Sequence, residues 1–286
     1  MSETRSALAR RLAEDVVFVL VQPQHPGNVG AVARAMKNFG LRRLAVVDPP
    51  PSFDVERARW MAPGADDVLA QMVVYATLDE AVADLHLLVG TTARHRADDQ
   101  PVWEPPMWAA NALDLPDGKQ VGVLFGREDL GLSREQTLRC GALVRIPTDH
   151  HASLNLGQAA LLMASAMFEA ARSRGLHAEG RIVGGRMGPR STASLTRRDG
   201  KAAPATLAEM EPAVLDLLGL LGRVGYLKAT SPEKVSATLR EAFQKAQPTR
   251  RQINAVRGMV HRVSWGMDHP EACSPANPDA TAAPEG

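Results

Sequence analysis

The chain is 286 residues long, 45% hydrophobic and 23% charged, with a formal net charge of +1. That balance excludes a disordered or fibrous chain, and the length allows one or two domains with a substantial core. No run is long enough to span a membrane, the polar start MSETRSALARRLAED lacks the apolar core of a signal peptide, and Cys140 and Cys273 have no metal-like spacing, so a cytoplasmic protein with reduced thiols is expected.

Residues 1–15 read as a polar N-terminal segment. From 16 to 173, apolar runs alternate with helical patterns. VVFVLVQ (16–22), LRRLAVVD (41–48), MVVYAT (72–77), LHLLVGTT (85–92), QVGVLFG (120–126) and ALVRIP (142–147) read as buried strands, each short, rich in Val and Leu and bounded by turn residues. Between the first two, AVARAMKNF sets Val32, Ala35, Met36 and Phe39 on one face of a helix, with Arg34 near the opposite side. This alternation predicts an α/β domain with a mainly parallel sheet. ASLNLGQAALLMASAMFEAA (152–171) predicts a long helix, apolar nearly all round and therefore covered by its own domain or by a partner subunit.

Charge is spread unevenly. Residues 1–171 carry 16 Lys/Arg and 21 Asp/Glu, residues 172–201 carry 8 and 2, and residues 202–286 carry 9 and 9. The glycine-rich stretch 174–205 has no period and reads as a linker, whose positive charge suits either a phosphate backbone or simple solvation. Three helical patterns follow, at 206–223, 232–246 and 249–264, the second opened by Ser231 and Pro232; they predict a small helical extension over 206–266. The composition of 267–286 is that of a disordered tail.

Three loops follow strands, where open α/β sheets bind ligands. In GNVGAVAR (27–34), Asn28 suits a helix N-cap, and Asp48, twenty residues on, suits the ribose of a dinucleotide, although G-x-G-x-x-G is absent. In LFGREDLGLS (124–133), Gly126 lets the backbone approach a ligand, Glu128 sits in the loop, and Ser133 with Gln136 forms a capping box. In RIPTDHHASLNLGQAA (145–160), a strand ends at Ile146-Pro147 and Ser153 and Asn155 open the apolar helix. His150 and His151 are adjacent and lack a Cys or carboxylate partner at ligand spacing, so no metal is expected.

Taken in order, NxGxxxR followed by FG, then FGREDLGL, then IP…SLNLGQA resembles the three motifs of the SPOUT RNA methyltransferases, in the TrmH-like branch of ribose 2′-O-methyltransferases. The likeness covers residues 16–171, and TTAR (91–94) fits it. GYL (225–227), Arg250-Arg251 and INAVRGMVHRVSW (253–265) resemble the C-terminal extension of the TrmJ group; PVWEPP (101–106) and the long linker have no counterpart in that pattern. The resemblance implies an α/β SPOUT fold with a C-terminal trefoil knot, an exception to the rule of un-knotted connections. It implies S-adenosylmethionine as cofactor, held by Thr91, Gly126, Ile146 and Leu154 largely through the backbone, and a homodimer in which motif 1 of one subunit completes the pocket of the other.

It also implies methyl transfer to a ribose 2′-OH of tRNA, at the cytidine or uridine of position 32. Arg34 would contact the RNA phosphate and the 2′-OH, with Asn28, Glu128, Ser153 and Asn155 as the catalytic shell around it and Arg94 and Arg96 adding RNA contacts. Glu128 would hold either Arg34 or its own loop. Aromatic residues make up only 4%, which favours phosphate and shape contacts over a stacking platform. Other readings are a methyltransferase for another tRNA site or for rRNA, an NAD-binding Rossmann-like oxidoreductase, and a non-catalytic RNA-binding protein. The oxidoreductase accounts for GNVG and Asp48 but not for FGRED or SLNLG. A pure binder has no need to keep all five of Asn28, Arg34, Glu128, Ser153 and Asn155.

Overall fold

The computed structural model describes residues 2–93, 100–150, 152–175, 204–228 and 230–269. Arg94, Arg96, most of the basic linker and nearly all of the C-terminal tail lie outside the described residues. In chain order the elements are α1 (Ser2–Glu14), β1 (Val16–Val21), α2 (Pro26–Asn38), β2 (Arg43–Val47), α3 (Val55–Trp60), α4 (Asp66–Ala70), β3 (Val73–Tyr75), α5 (Leu78–Val82) and β4 (Leu87–Thr91). Then come β5 (Val102–Trp103), α6 (Pro105–Asp114), β6 (Val121–Phe125), α7 (Arg134–Leu138), β7 (Ala142–Val144) and α8 (Leu156–Ser173). The extension holds α9 (Leu207–Arg223), a short 3₁₀ turn (Tyr226–Lys228), α10 (Pro232–Ala246) and α11 (Arg250–Asp268).

The strands form one sheet in the order β3-β2-β1-β6-β4-β7-β5, with every pairing parallel. The register sets Leu20 of β1 between Val46 of β2 and Phe125 of β6. Both faces are covered, which is why the strands read as continuous apolar runs rather than as alternating ones. Phe18, Leu20, Val46, Val89, Val123, Phe125 and Val144 turn to the face packed by α2, α6 and α8, where Phe18 and Phe125 meet with ring centroids 5.1 Å apart. Val17, Val19, Val21, Leu88, Leu124 and Leu143 turn to the other face, against Ala81 and Val82 of α5 and Leu207 of α9.

The predicted helix face on α2 is seen, with Val32, Ala35 and Met36 buried and Phe39 packed on Phe168 of α8 at 5.7 Å. Asn28 is not its N-cap. Pro26 occupies the first helical position, where its fixed φ and missing N–H fit, and moves the cap back to His25. Asn155 does cap α8, accepting from the Gly157 N–H, and Gln158 completes its capping box. Ser133 and Gln136 form the expected box at α7. One face of α8 is buried by its own domain, through Ala160, Met163, Ala164, Met167 and Ala171, while Leu161 and Leu162 remain about 40% exposed.

Two elements differ from the sequence reading. The N-terminal segment is a helix, held because the buried Arg11 guanidinium donates to the Ala112 and Pro116 carbonyls at the end of α6. PVWEPP contains β5, a two-residue edge strand paired with β7. The extension packs on its own domain: Leu207 and Ala208 donate main-chain hydrogen bonds to Leu85 and Ala83, and the buried Gln244 accepts from the Leu88 N–H at 3.0 Å.

Candidate active site

β4, β6 and β7 end side by side at Thr91, Phe125 and Val144. Their loops enclose a cavity of about 410 Å³ at the C-terminal edge of the sheet. Its lining includes Thr91, Gly126, Ile146 and Leu154, together with Glu128 and Ser153, so residues predicted from three separate loops share one cavity. Thr91 braces the floor, donating its hydroxyl to the Leu124 carbonyl at 3.0 Å. Leu130, Leu132 and Leu156 supply apolar surface.

The 126–131 loop is shaped by its glycines. A Cβ on Gly126 would lie 2.2 Å from the Gly131 carbonyl carbon and the Leu132 nitrogen. The backbone that this glycine admits is therefore first of all the chain's own, as the loop folds back on itself. Gly131 has φ +68° and donates to the Arg127 carbonyl at 2.8 Å, closing the turn. Arg127 and Asp129 pair through two hydrogen bonds across it.

Glu128 leaves this loop and reaches the N-terminus of α2. Its carboxylate accepts from the Asn28 side-chain amide at 2.8 Å and from the main-chain N–H groups of Gln24, at 2.9 Å, and His25, at 3.4 Å. His25 makes no side-chain cap of its own, and Glu128 instead pins the β1–α2 turn just ahead of the helix from the neighbouring loop. Burial pushes the Glu128 carboxyl upward, but the hydrogen bonds from Asn28, Gln24 and His25 outweigh it and hold the group below the usual carboxylate range. Asn28 turns its oxygen to the Asn155 amide at 3.1 Å. Glu128, Asn28 and Asn155 thus form one chain of hydrogen bonds linking α2, the 126–131 loop and α8.

Arg34 is exposed and donates from Nη1 to the Pro63 carbonyl. It is not among the residues lining the cavity. Of the two partners the sequence left open for Glu128, the loop and helix end are the ones it holds. Ser153 is exposed on the cavity rim. Asp48, the acid that a dinucleotide ribose requires, accepts from Gln22 Nε2 at 2.7 Å. Both residues have positive φ, 46° and 49°, so they brace the ends of β1 and β2.

Sequence reasoning missed the Gln24 and His25 amides and the Pro63 carbonyl. All three are main-chain groups, which no side-chain pattern marks.

The cavity suits a nucleoside-bearing cofactor. Its volume falls in the range of small-molecule sites, and its lining mixes apolar side chains such as Leu130, Leu132 and Ile146 with the polar Thr91, Glu128 and Ser153. Among the described residues no three His, Cys, Asp or Glu side chains gather as metal ligands.

Known proteins with the same organisation are similar along nearly the whole chain. A tRNA (cytidine/uridine-2′-O-)-methyltransferase TrmJ of Yersinia enterocolitica is 29% identical over 91% of this chain and 95% of its own. The TrmJ of Cronobacter sakazakii is 31% identical over 87% of this chain and 96% of its own. The crystal structure of TrmJ from Z. mobilis ZM4 superposes with a TM-score of 0.66 at 29% identity, covering 87% of this chain and 98% of that one. The profile of the SpoU rRNA methylase family matches residues 15–165, from the first strand through the cavity loops and into α8, and the chain belongs to that family.

Proposed function

We propose that this chain is an S-adenosylmethionine-dependent methyltransferase acting on a ribose 2′-OH of tRNA, at the cytidine or uridine of position 32. The observation that carries the reading is the meeting of Thr91, Gly126, Ile146 and Leu154 around one cavity, with Glu128 tying that cavity to motif 1. The likeness to proteins named tRNA (cytidine/uridine-2′-O-)-methyltransferase runs through the extension as well as the sheet, which favours tRNA over rRNA. In this reading residues 16–173 are the catalytic unit and 206–266 an accessory unit, joined by the basic linker 174–205. Arg94 and Arg96 add RNA contacts, and the enzyme works in the cytoplasm.

When bound, the cofactor supplies an electrophilic methyl group. The chain has to place the hydroxyl in line, support the charge that develops on its oxygen and keep water out. Arg34 does the first two: it orients the target phosphate and stabilises the incipient alkoxide. It is not the base, because a guanidinium does not give up its proton in proteins; as the methyl–sulfur bond breaks and the methyl–oxygen bond forms, the hydroxyl proton leaves late, to solvent. Glu128, Asn28 and Asn155 are positioning residues. They fix the helix that carries Arg34 relative to the cavity. Ser153 sits at the rim, within the shell that meets the nucleotide.

A homodimer completes the site. Arg34 lies outside the lining of its own subunit's cavity, and α8 presents Leu161 and Leu162 on its open side. Both features support a partner subunit whose cavity this Arg34 serves. The strand order also suits the C-terminal trefoil knot, since β6 enters between β1 and β4 while β7 continues on the far side of β4.

The test is transfer of label from S-adenosylmethionine to tRNA and to rRNA transcripts, by the wild type and by Arg34→Ala. The expected result is label in tRNA that falls to a small residual rate in the variant while RNA still binds. Near-normal transfer by Arg34→Ala with normal RNA binding removes both roles assigned to Arg34.

A further inference from the structure

The reading of Arg34 leaves open what aims it. A long exposed side chain samples many rotamers, and an arginine that must meet one phosphate and one oxygen needs restraint. The turn at 61–65, between α3 and α4, provides it.

Arg34 Nη1 donates to the Pro63 carbonyl. Gly64, next in the chain, has φ +73°, and a Cβ there would lie 3.0 Å from the same Nη1. A proline followed by a left-handed glycine therefore presents a carbonyl and an open space to one guanidinium nitrogen. The turn is itself immobilised. Ala62 and Ala65 on either side are fully buried. A Cβ on Gly30 of α2 would fall 2.0 Å from the Ala58 carbonyl oxygen, so the end of α3 rests directly on the helix that carries Arg34. Lys37 of α2 pairs with Asp67 of α4 at 2.6 Å, a second tether one helical turn from Arg34. Among the described residues no carboxylate pairs with Arg34, so the carbonyl leaves its charge unneutralised for RNA.

We propose that the Pro63-Gly64 turn is the positioning element of Arg34: the carbonyl fixes one nitrogen of the guanidinium, and the missing side chain of Gly64 leaves room for it. This rests on Arg34 acting in methyl transfer. The turn works through Arg34 and does not touch the nucleotide.

The experiment is a double-mutant cycle on the full-length protein, with kcat, KM for S-adenosylmethionine, tRNA affinity and Tm measured for each variant. Gly64→Ala adds the Cβ against Arg34 at a positive φ. Gly118→Ala is the control, because Gly118 has φ +76° with nothing within 4 Å and so carries the same backbone strain without the steric contact. Gly64→Asn adds the same Cβ in a residue that tolerates the left-handed region, in case Gly64→Ala fails to fold.

The expected result is a kcat lowered on the order of ten- to a hundredfold by Gly64→Ala and by Gly64→Asn. KM for S-adenosylmethionine stays unchanged, and Gly64→Ala lowers Tm no more than Gly118→Ala does. Gly64→Ala combined with Arg34→Ala is then no slower than Arg34→Ala alone. Effects that multiply in the double variant, or a kcat for Gly64→Asn equal to wild type, overturn the proposal. If Arg34→Ala alone leaves transfer intact, the prior reading of Arg34 fails instead.

Discussion

Glu128 takes its role from its place in the fold rather than from its residue type. A carboxylate in a methyltransferase loop invites the role of base, yet here three donors occupy it and hold it ionised. Its folded-state pKa lies below the ordinary value, so its stabilising contribution is present above the unfolded carboxylate pKa and is lost as pH falls through the lowered one. Thermal melts of wild type and Glu128→Gln against pH should therefore differ near neutrality and converge in acid; a gap that persists into acid contradicts this. Gly126 yields a second residue-scale prediction. With backbone 2.2 Å from any added Cβ, Gly126→Ala must open the turn. We expect a lower Tm together with weakened S-adenosylmethionine binding by calorimetry, and unchanged binding would show that the turn does not shape the cavity. That Glu128, Asn28 and Asn155 would lie near one another was legible from their positions in loops after strands. Their pairing was not, because the partners stand about a hundred residues or more apart and one of them meets main-chain amides.

Elements long enough to carry a pattern were legible. β1, β2, β4 and β6 are buried on both faces, so their apolar runs are continuous, and α9, α10 and α11 begin within a residue of where their caps indicate. Thr206 and Thr249 complete capping boxes at α9 and α11, and Pro232 opens α10. Short elements carried no such pattern: β5 has two residues, and α3, α4 and α5 have five or six, fewer than two helical turns, while α7, equally short, was marked only by the capping box of Ser133 and Gln136. Nor did the pattern reveal how α10 meets the sheet, because that contact depends on polar side chains, Gln244 and, at the helix end, Gln247, which donates to the His86 carbonyl. Gln244 is 3% exposed, and besides accepting from Leu88 it donates to the Arg139 carbonyl at 3.3 Å. Gln244→Leu keeps the volume but leaves the Leu88 N–H without an acceptor, a loss of roughly 1–3 kcal/mol. Hydrogen exchange should show the Leu88 amide losing protection and denaturant melts should show the lower stability; unchanged protection would mean that the extension is held elsewhere.

At the scale of the whole molecule, the parallel sheet gathers three loops distant in sequence at one edge, and the extension docks on the domain's other face through α5 and β4. The C-terminal edge of a parallel sheet is a place that sequence alone identifies, since the end of every strand is marked by its turn residues. The completeness of the site within one chain is not marked in this way. Arg34 and the cavity wall belong to one chain but not to one lining. If the homodimer completes the site, mixing Arg34→Ala with Leu154→Glu, which puts a charge into the cavity, should restore transfer that neither variant has alone. A mixture as inactive as its parts would mean that each subunit works with its own Arg34.

Where the methyl group goes is the most direct test of the proposed function. Unmodified tRNA transcripts incubated with the purified protein and labelled S-adenosylmethionine, then digested and mapped by mass spectrometry, should carry a single 2′-O-methyl on the pyrimidine at position 32. A methyl on a base, on rRNA in preference to tRNA, or on no RNA at all by a protein that binds the cofactor would contradict it.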